Sequence, residues 1–179
     1  MKKYLLIMML AGCFLSGCFL SGCANYINDG SKEMEAGDYD AAIASFEKAI
    51  AANKDVALAW RGIGLLRYQQ QDYGKAVEAL QASLAAGAEE TPVIYNILGV
   101  CAMQLQDFDQ AIRVFDQGLA LPESDADYAE VIQSMKFNLV VCYEKKLDWE
   151  GAKARIAEYV QLYPDDAEAA REAIFLATR

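Results

Sequence analysis

The sequence contains no histidine in 179 residues. That absence removes the commonest general base and the commonest zinc ligand. It also removes the Ser-His and Cys-His pairs that activate nucleophiles. Positive charge is short as well: 16 Lys and Arg stand against 26 Asp and Glu, a formal net charge of −10. Two of those cations, Lys2 and Lys3, sit at the extreme N-terminus, so the rest of the chain is more acidic still. Such a charge repels nucleic-acid phosphates and anionic headgroups, and it favours neutral or basic partners. The composition points away from catalysis, metals and cofactors, and away from nucleic acid as a partner. The length suffices for one domain with a proper core.

What is present begins with an address label. Lys2 and Lys3 precede a mostly apolar stretch from Tyr4 to Leu20, and polar sequence starts at Asn25. This is the layout of a secretory signal peptide. The alternative is an uncleaved transmembrane helix, since about 20 apolar residues span a bilayer. Glycines and serines near the end of the stretch favour processing. The segments LAGC (10–13), LSGC (15–18) and LSGC (20–23) each resemble the bacterial lipobox. That resemblance implies thioether lipidation of a cysteine and cleavage before it. Use of Cys13 would leave Phe14, Leu15, Phe19 and Leu20 on the product, whereas Cys23 leaves none of them. Cys23 is therefore the assigned lipidation site and Cys18 the second choice, with residues 1–22 as signal peptide and 23–179 as the mature domain. Two or three acyl chains anchor stably, at ~0.8 kcal/mol per buried CH₂. The expected location is the extracytoplasmic face of a bacterial membrane. Where an outer membrane exists, Ala24 resembles the signal for transport to it. Cleavage near Ala24 without lipidation would give a soluble secreted protein.

The body repeats. The segments GDYDAAIASFEKAI (37–50), QDYGKAVEALQASL (71–84), QDFDQAIRVFDQGL (106–119) and LDWEGAKARIAEYV (147–160) share Asp, an aromatic, two variable residues and Ala. Each continues with apolar residues at helical spacing. The marker aspartates are Asp38, Asp72, Asp107 and Asp148, at intervals of 34, 35 and 41. Another helical pattern precedes each, most clearly AWRGIGLLRYQQQ (59–71). The unit is helix, tight turn, helix. Small residues at Gly30, Gly64 and Gly99, and at Ala42, Ala76, Ala111 and Ala152, allow close helix approach. Phe46, Leu80, Phe115 and Ile156 fill the space between. Each marker Asp is placed to cap a second helix. That position disposes of the DYD and DFD pairs as metal- or sugar-nucleotide-binding motifs.

With Trp60, Ile63 and Gly64 in the second unit, and Tyr95, Leu98, Gly99, Ala111 and Phe115 in the third, the pattern resembles the tetratricopeptide repeat. Tyr26, Gly30, Ala42, Phe46 and Ala49 carry it in the first unit, and Leu139, Tyr143, Ala152 and Pro164 in the fourth. Arg67 stands where a tyrosine is expected and Val140 where a glycine is. The fold class is therefore all-α, a solenoid of about four helix-turn-helix units (23–56, 57–91, 92–121 and 122–164) with a capping helix at 165–179. Extra sequence at 121–134 reads as a lengthened first helix in unit four, projecting about two turns, stopped upstream by Pro122 and capped by Ser124 or Asp125. Asp165 or Asp166 caps the final helix, which covers the last apolar face. Cys101 and Cys142 occupy equivalent places in successive units. Packed helices stand about 8–10 Å apart, too far for a bridge, so both are expected as buried free thiols.

First helices line the concave face in the family that this chain resembles. Their second stripe reads Arg61, Leu65 and Tyr68 in unit two, Asn96, Val100 and Met103 in unit three, and Phe137, Val141 and Lys145 in unit four. Unit one offers Ile27, Ser31 and Met34. This mixture of apolar side chains and a few donors suits an extended peptide or a partner helix. The expected function is that of a non-catalytic, lipid-anchored scaffold for a protein or peptide partner in the cell envelope. Tetratricopeptide lipoproteins that it resembles include assembly factors for envelope machines and pili and scaffolds for peptidoglycan enzymes, and the resemblance does not choose among these. The rival reading puts a small molecule or glycan in the groove, as a ligand or as the substrate of a carboxylate-based hydrolase.

Overall fold

The computed structural model describes residues 25–122 and 126–179. The assigned signal peptide at 1–22, the lipidation candidates Cys18 and Cys23, and the candidate caps Ser124 and Asp125 lie outside those residues. Among the described residues, regular structure is entirely helical. Four hairpins follow one another: α1 (Tyr26–Glu35) with α2 (Tyr39–Ala51), α3 (Val56–Gln69) with α4 (Tyr73–Ala85), α5 (Pro92–Gln104) with α6 (Phe108–Leu119), and α7 (Ala129–Lys145) with α8 (Trp149–Leu162). A last helix, α9 (Ala167–Leu176), ends the stack.

One device closes every hairpin. The residue before each marker aspartate is left-handed: Gly37 at φ 79°, Gln71 at 61°, Gln106 at 60° and Leu147 at 58°. The marker's own N–H then reaches back to a carbonyl of the preceding helix, Glu33, Arg67, Ala102 or Tyr143, in each case at 2.9 Å. This is the Schellman arrangement, which satisfies carbonyls that the helix end leaves free. The marker's side chain next starts the second helix. Oδ1 of Asp38, Asp72, Asp107 and Asp148 accepts from the third N–H onward, at 3.2, 3.4, 2.9 and 2.9 Å. A single residue thus ends one helix and begins another.

Packing follows the repeat. The small residues Ala42, Ala76, Ala111 and Ala152 are wholly buried, and Phe46, Leu80, Phe115 and Ile156 are buried with them. Gly30 faces the Phe46 ring, Gly64 faces Leu80, and Gly99 faces Phe115. A hydrogen bond from Ser83 Oγ to the Ala57 carbonyl, 2.7 Å, ties α4 to α3. Ion pairs join the later units: Lys146 with Asp109, and Arg155 with Asp116 at 3.0 Å. Cys101 and Cys142 are free and buried. Burial pushes their thiols up, to about 11 and about 12.

The fourth unit has the lengthened first helix its sequence suggested, but α7 outruns α3 and α5 by about one turn rather than two. Its first helix has 17 residues against 13 and 14 in α5 and α3, and a 3₁₀ turn, Ala126–Tyr128, leads into it. Its N-cap is Tyr128, which gives no side-chain hydrogen bond. The last helix starts at Asp166, whose Oδ1 accepts from the N–H groups of Glu168 and Ala169, both 3.0 Å. Ala169 and Leu176 seat α9 on Val140, Ile156 and Tyr159. Its outer side is less polar than a terminal cap calls for, since Ile174 is 70% exposed and Phe175 42%.

Candidate functional site

The placement of a groove follows from which helices touch. Two pairs of first helices touch across units, α1 with α3 and α5 with α7, and among the described residues no comparable contact joins the second helices. The first helices therefore lie at the smaller radius of the curve, and their free stripe faces inward.

On α3, Arg61, Leu65 and Tyr68 are all half-buried. Arg61 makes no ion pair among the described residues, whereas Arg67 is engaged with Gln70 at 3.0 Å. Tyr68 stands edge-on to Tyr73 with ring centroids 6.2 Å apart. Burial, then the neighbouring Cys101 of α5, pushes its hydroxyl pKa up. On α5, Asn96, Val100 and Met103 are half-buried. Val100 and Met103 lean on the core formed by Ala102, Met135 and Leu139. The Asn96 Oδ1 atom is buried and has no hydrogen-bond partner. On α7, Val141 is half-buried and Lys145 exposed. Phe137 is half-buried, and its ring packs edge-on against Tyr159 of α8 at 5.3 Å. It is therefore held in the core of α7, α8 and α9 more firmly than its neighbours on the stripe.

Two residues extend this surface beyond the sequence reading. Leu58, one turn before Arg61, is 51% exposed. Val93 stands one turn before Asn96 and is half-buried. The signal was available, because 58, 61, 65, 68 and 93, 96, 100, 103 continue the same period backward.

A recess of about 220 Å³ opens elsewhere, among α2, α3 and α4, lined by Glu47, Trp60, Arg67, Lys75 and Glu78. It lies where Arg67 replaces the tyrosine of the repeat pattern. Its cations already have partners, Lys75 in Asp72 at 2.8 Å and Arg67 in Gln70. Among the described residues no group of three or more Cys, Asp or Glu side chains is placed to hold a metal ion.

Models of the tetratricopeptide repeat match residues 30–91, 95–127 and 134–166. Among solved structures the chain is similar to YrrB, described as a tetratricopeptide repeat protein with an unusual peptide-binding site. The TM-score is 0.71 at 21% identity, over 86% of this chain and 75% of that one. It is similar to MamA with a TM-score of 0.71 at 18% identity, over 84% of this chain and 78% of that one. A tetratricopeptide repeat protein of Parabacteroides merdae superposes with a TM-score of 0.66 at 16% identity, over 87% of this chain and 59% of that one. At these identities the likeness is one of fold. No curated protein matches the chain. The repeat models span most of the sequence, and the helical hairpin, its buried alanine and its shared turn recur at the same register in all four units: the chain belongs to the tetratricopeptide repeat family.

Proposed function

We propose that this protein is a non-catalytic scaffold, lipid-anchored through Cys23 at the extracytoplasmic face of a bacterial membrane, that holds a protein or peptide partner in its concave groove. The observation that carries the groove reading is the state of the inner stripe. Leu58, Leu65, Val93 and Val100 leave apolar surface toward the groove, beside an uncommitted Arg61 and an orphaned Asn96 Oδ1. Apolar surface takes the alternate side chains of an extended peptide, and the Arg61 guanidinium supplies donors for its carbonyls. A peptide-binding site is also what is described for YrrB, which shares the fold. The anchor reading rests on three successive Leu-small-small-Cys segments after a charged start and an apolar stretch. The short distance from Cys23 to Tyr26, where α1 begins, sets the scaffold close to the bilayer. Envelope or pilus assembly is the kind of task that such a tethered scaffold serves.

Two experiments test this reading separately. In detergent-phase partitioning, the wild-type protein enters the detergent phase, and a variant with Cys13, Cys18 and Cys23 all changed to Ala stays in the aqueous phase. Identical partitioning of the two would sink the anchor. For the groove, affinity purification from native cells with Tyr68→Ala and Arg61→Ala loses the partner that wild type captures. Retention of the same partners by both folded variants would remove the groove.

A further inference from the structure

The last helix, α9, docks in the manner of a first helix. In α3, α5 and α7 a pair of residues two turns apart goes fully into the core: Ala59 and Leu66, Ile94 and Cys101, Met135 and Cys142, none more than 1% exposed. Ala169 and Leu176 of α9 continue that series, both at 0%. In the same register, one further position of each first helix receives the second helix of its unit. Gly64 meets Leu80 of α4, Gly99 meets Phe115 of α6, and Val140 packs with Ala152 and Ile156 of α8. The corresponding residue of α9 is Ile174, and it is 70% exposed. Among the described residues no helix follows α9 to cover it.

The uncovered face has a simple composition. By helical periodicity Ala167, Ala170, Arg171, Ala177 and Thr178 stand within about 60° of Ile174 around the helix axis, and all of them are exposed. Ala170, Ile174 and Ala177 run small, large, small along it. Such a stripe complements itself. Laid antiparallel on a second copy, it sets each Ala170 beside the other copy's Ala177, and each Ile174 near the two-fold axis between small residues. Arg171 is the one ionised group of the face, and no carboxylate stands on it. The acidic charge that holds copies of a −10 chain apart elsewhere is missing here.

We propose that two copies of this chain pair through α9, each copy's α9 filling the second-helix position of the other. The occupant is a helix, because a helix covers this position in each of the four hairpins. It is a second copy, because the stripe is self-complementary and each chain presents one such helix uncovered. The contact continues the first-helix packing already made inside the chain, so two stacks join end to end at their last helices. With ten residues, α9 is about 15 Å long. The buried surface is therefore small, and the pair exchanges readily.

The test is disulfide trapping of the full chain in intact cells under a mild oxidant, read on non-reducing gels. Cys101 and Cys142 are buried, and the wild type is the blank. Ile174→Cys is expected to give a two-copy product about tenfold faster than Leu105→Cys, because docking raises the effective concentration of the thiols. Leu105 is the control because it is an exposed leucine, at 53%, away from α9. Chains carrying Ala170→Cys and chains carrying Ala177→Cys, expressed together, should link faster than either kind alone. An antiparallel pair brings these two positions together and holds each of them beyond the ~7 Å reach of a disulfide from its own counterpart. Ile174→Glu in both chains should remove that advantage. Equal trapping of Ile174→Cys and Leu105→Cys would overturn the pairing, as would capture of Ile174→Cys in a product of a mass other than two copies. Faster linking of Ala170→Cys with itself would overturn the antiparallel arrangement.

Discussion

The ring of Phe46 lies against Gly62, so close that a Cβ added to that glycine would stand 2.6 Å from the ring. Phe46 belongs to α2 and Gly62 to α3, and Gly30 of α1 presses the same ring from the other side. One aromatic side chain, 2% exposed, thus joins the first unit to the second. The ring has no room to retreat.

Gly62→Ala is expected to destabilise the protein. Overpacking costs roughly 1–3 kcal/mol, more than the about 1 kcal/mol that alanine gains over glycine in a helix. Gly74→Ala is the matched control, since that helical glycine has open space around its Cβ direction. Urea denaturation should show a lowered midpoint for Gly62→Ala and an unchanged or raised one for Gly74→Ala.

Leu147 adopts a left-handed φ of 58° and is 69% exposed. A leucine gains nothing there and carries steric strain of roughly 1–2 kcal/mol. The equivalent residue of the first hairpin is Gly37. Leu147→Gly is therefore expected to raise the thermal midpoint. A lowered midpoint would mean that the strain is relieved in a way that the backbone does not reveal.

Cys101 and Cys142 should be inert in the folded protein. Both are wholly buried, and burial pushes their thiols up to about 11 and about 12. The thiolate is the reactive species. Alkylation with iodoacetamide at pH 8, resolved by peptide mapping, should leave both unmodified in native protein and modify both in urea. Rapid native labelling of either would contradict the packing.

The acid side of α9 is governed by Asp166. Its carboxyl is held below the ordinary range, first by the Ala169 N–H and then by Tyr159. The cap is therefore complete above the ordinary carboxylate range and is lost as pH falls through the depressed value. Loss of the cap on acidification loosens α9, so α9 should be held more firmly near neutrality than in strong acid. In Asp166→Ala the thermal midpoint should fall near neutrality and lose its decline below pH 4. A wild-type midpoint unchanged from pH 6 down to pH 3 would refute the assignment.

Much of the fold was legible because it is local and repeated. Asp38, Asp72, Asp107 and Asp148 mark each hairpin, and Ala and aromatic landmarks at fixed offsets give helix, turn and partner helix without any long-range information. The turns were half legible. Gly37 announces a left-handed residue, but Gln71, Gln106 and Leu147 do not, because there the Schellman hydrogen bonds impose the conformation on residues that do not prefer it. The inner stripe was legible as a period, but burial along it was not. Phe137 and Val141 share the stripe, and only the packed structure shows Phe137 held edge-on by Tyr159.

By itself the sequence determined the repeat, the helical hairpin and the register in which units stack. These depend on neighbours within about 35 residues and on small residues facing large ones. Only the tertiary structure decided which glycines meet which rings and why Gly62 matters as much as Gly30. Those meetings join residues of different helices through the angle and spacing of the stack, and no pattern along one helix encodes that angle.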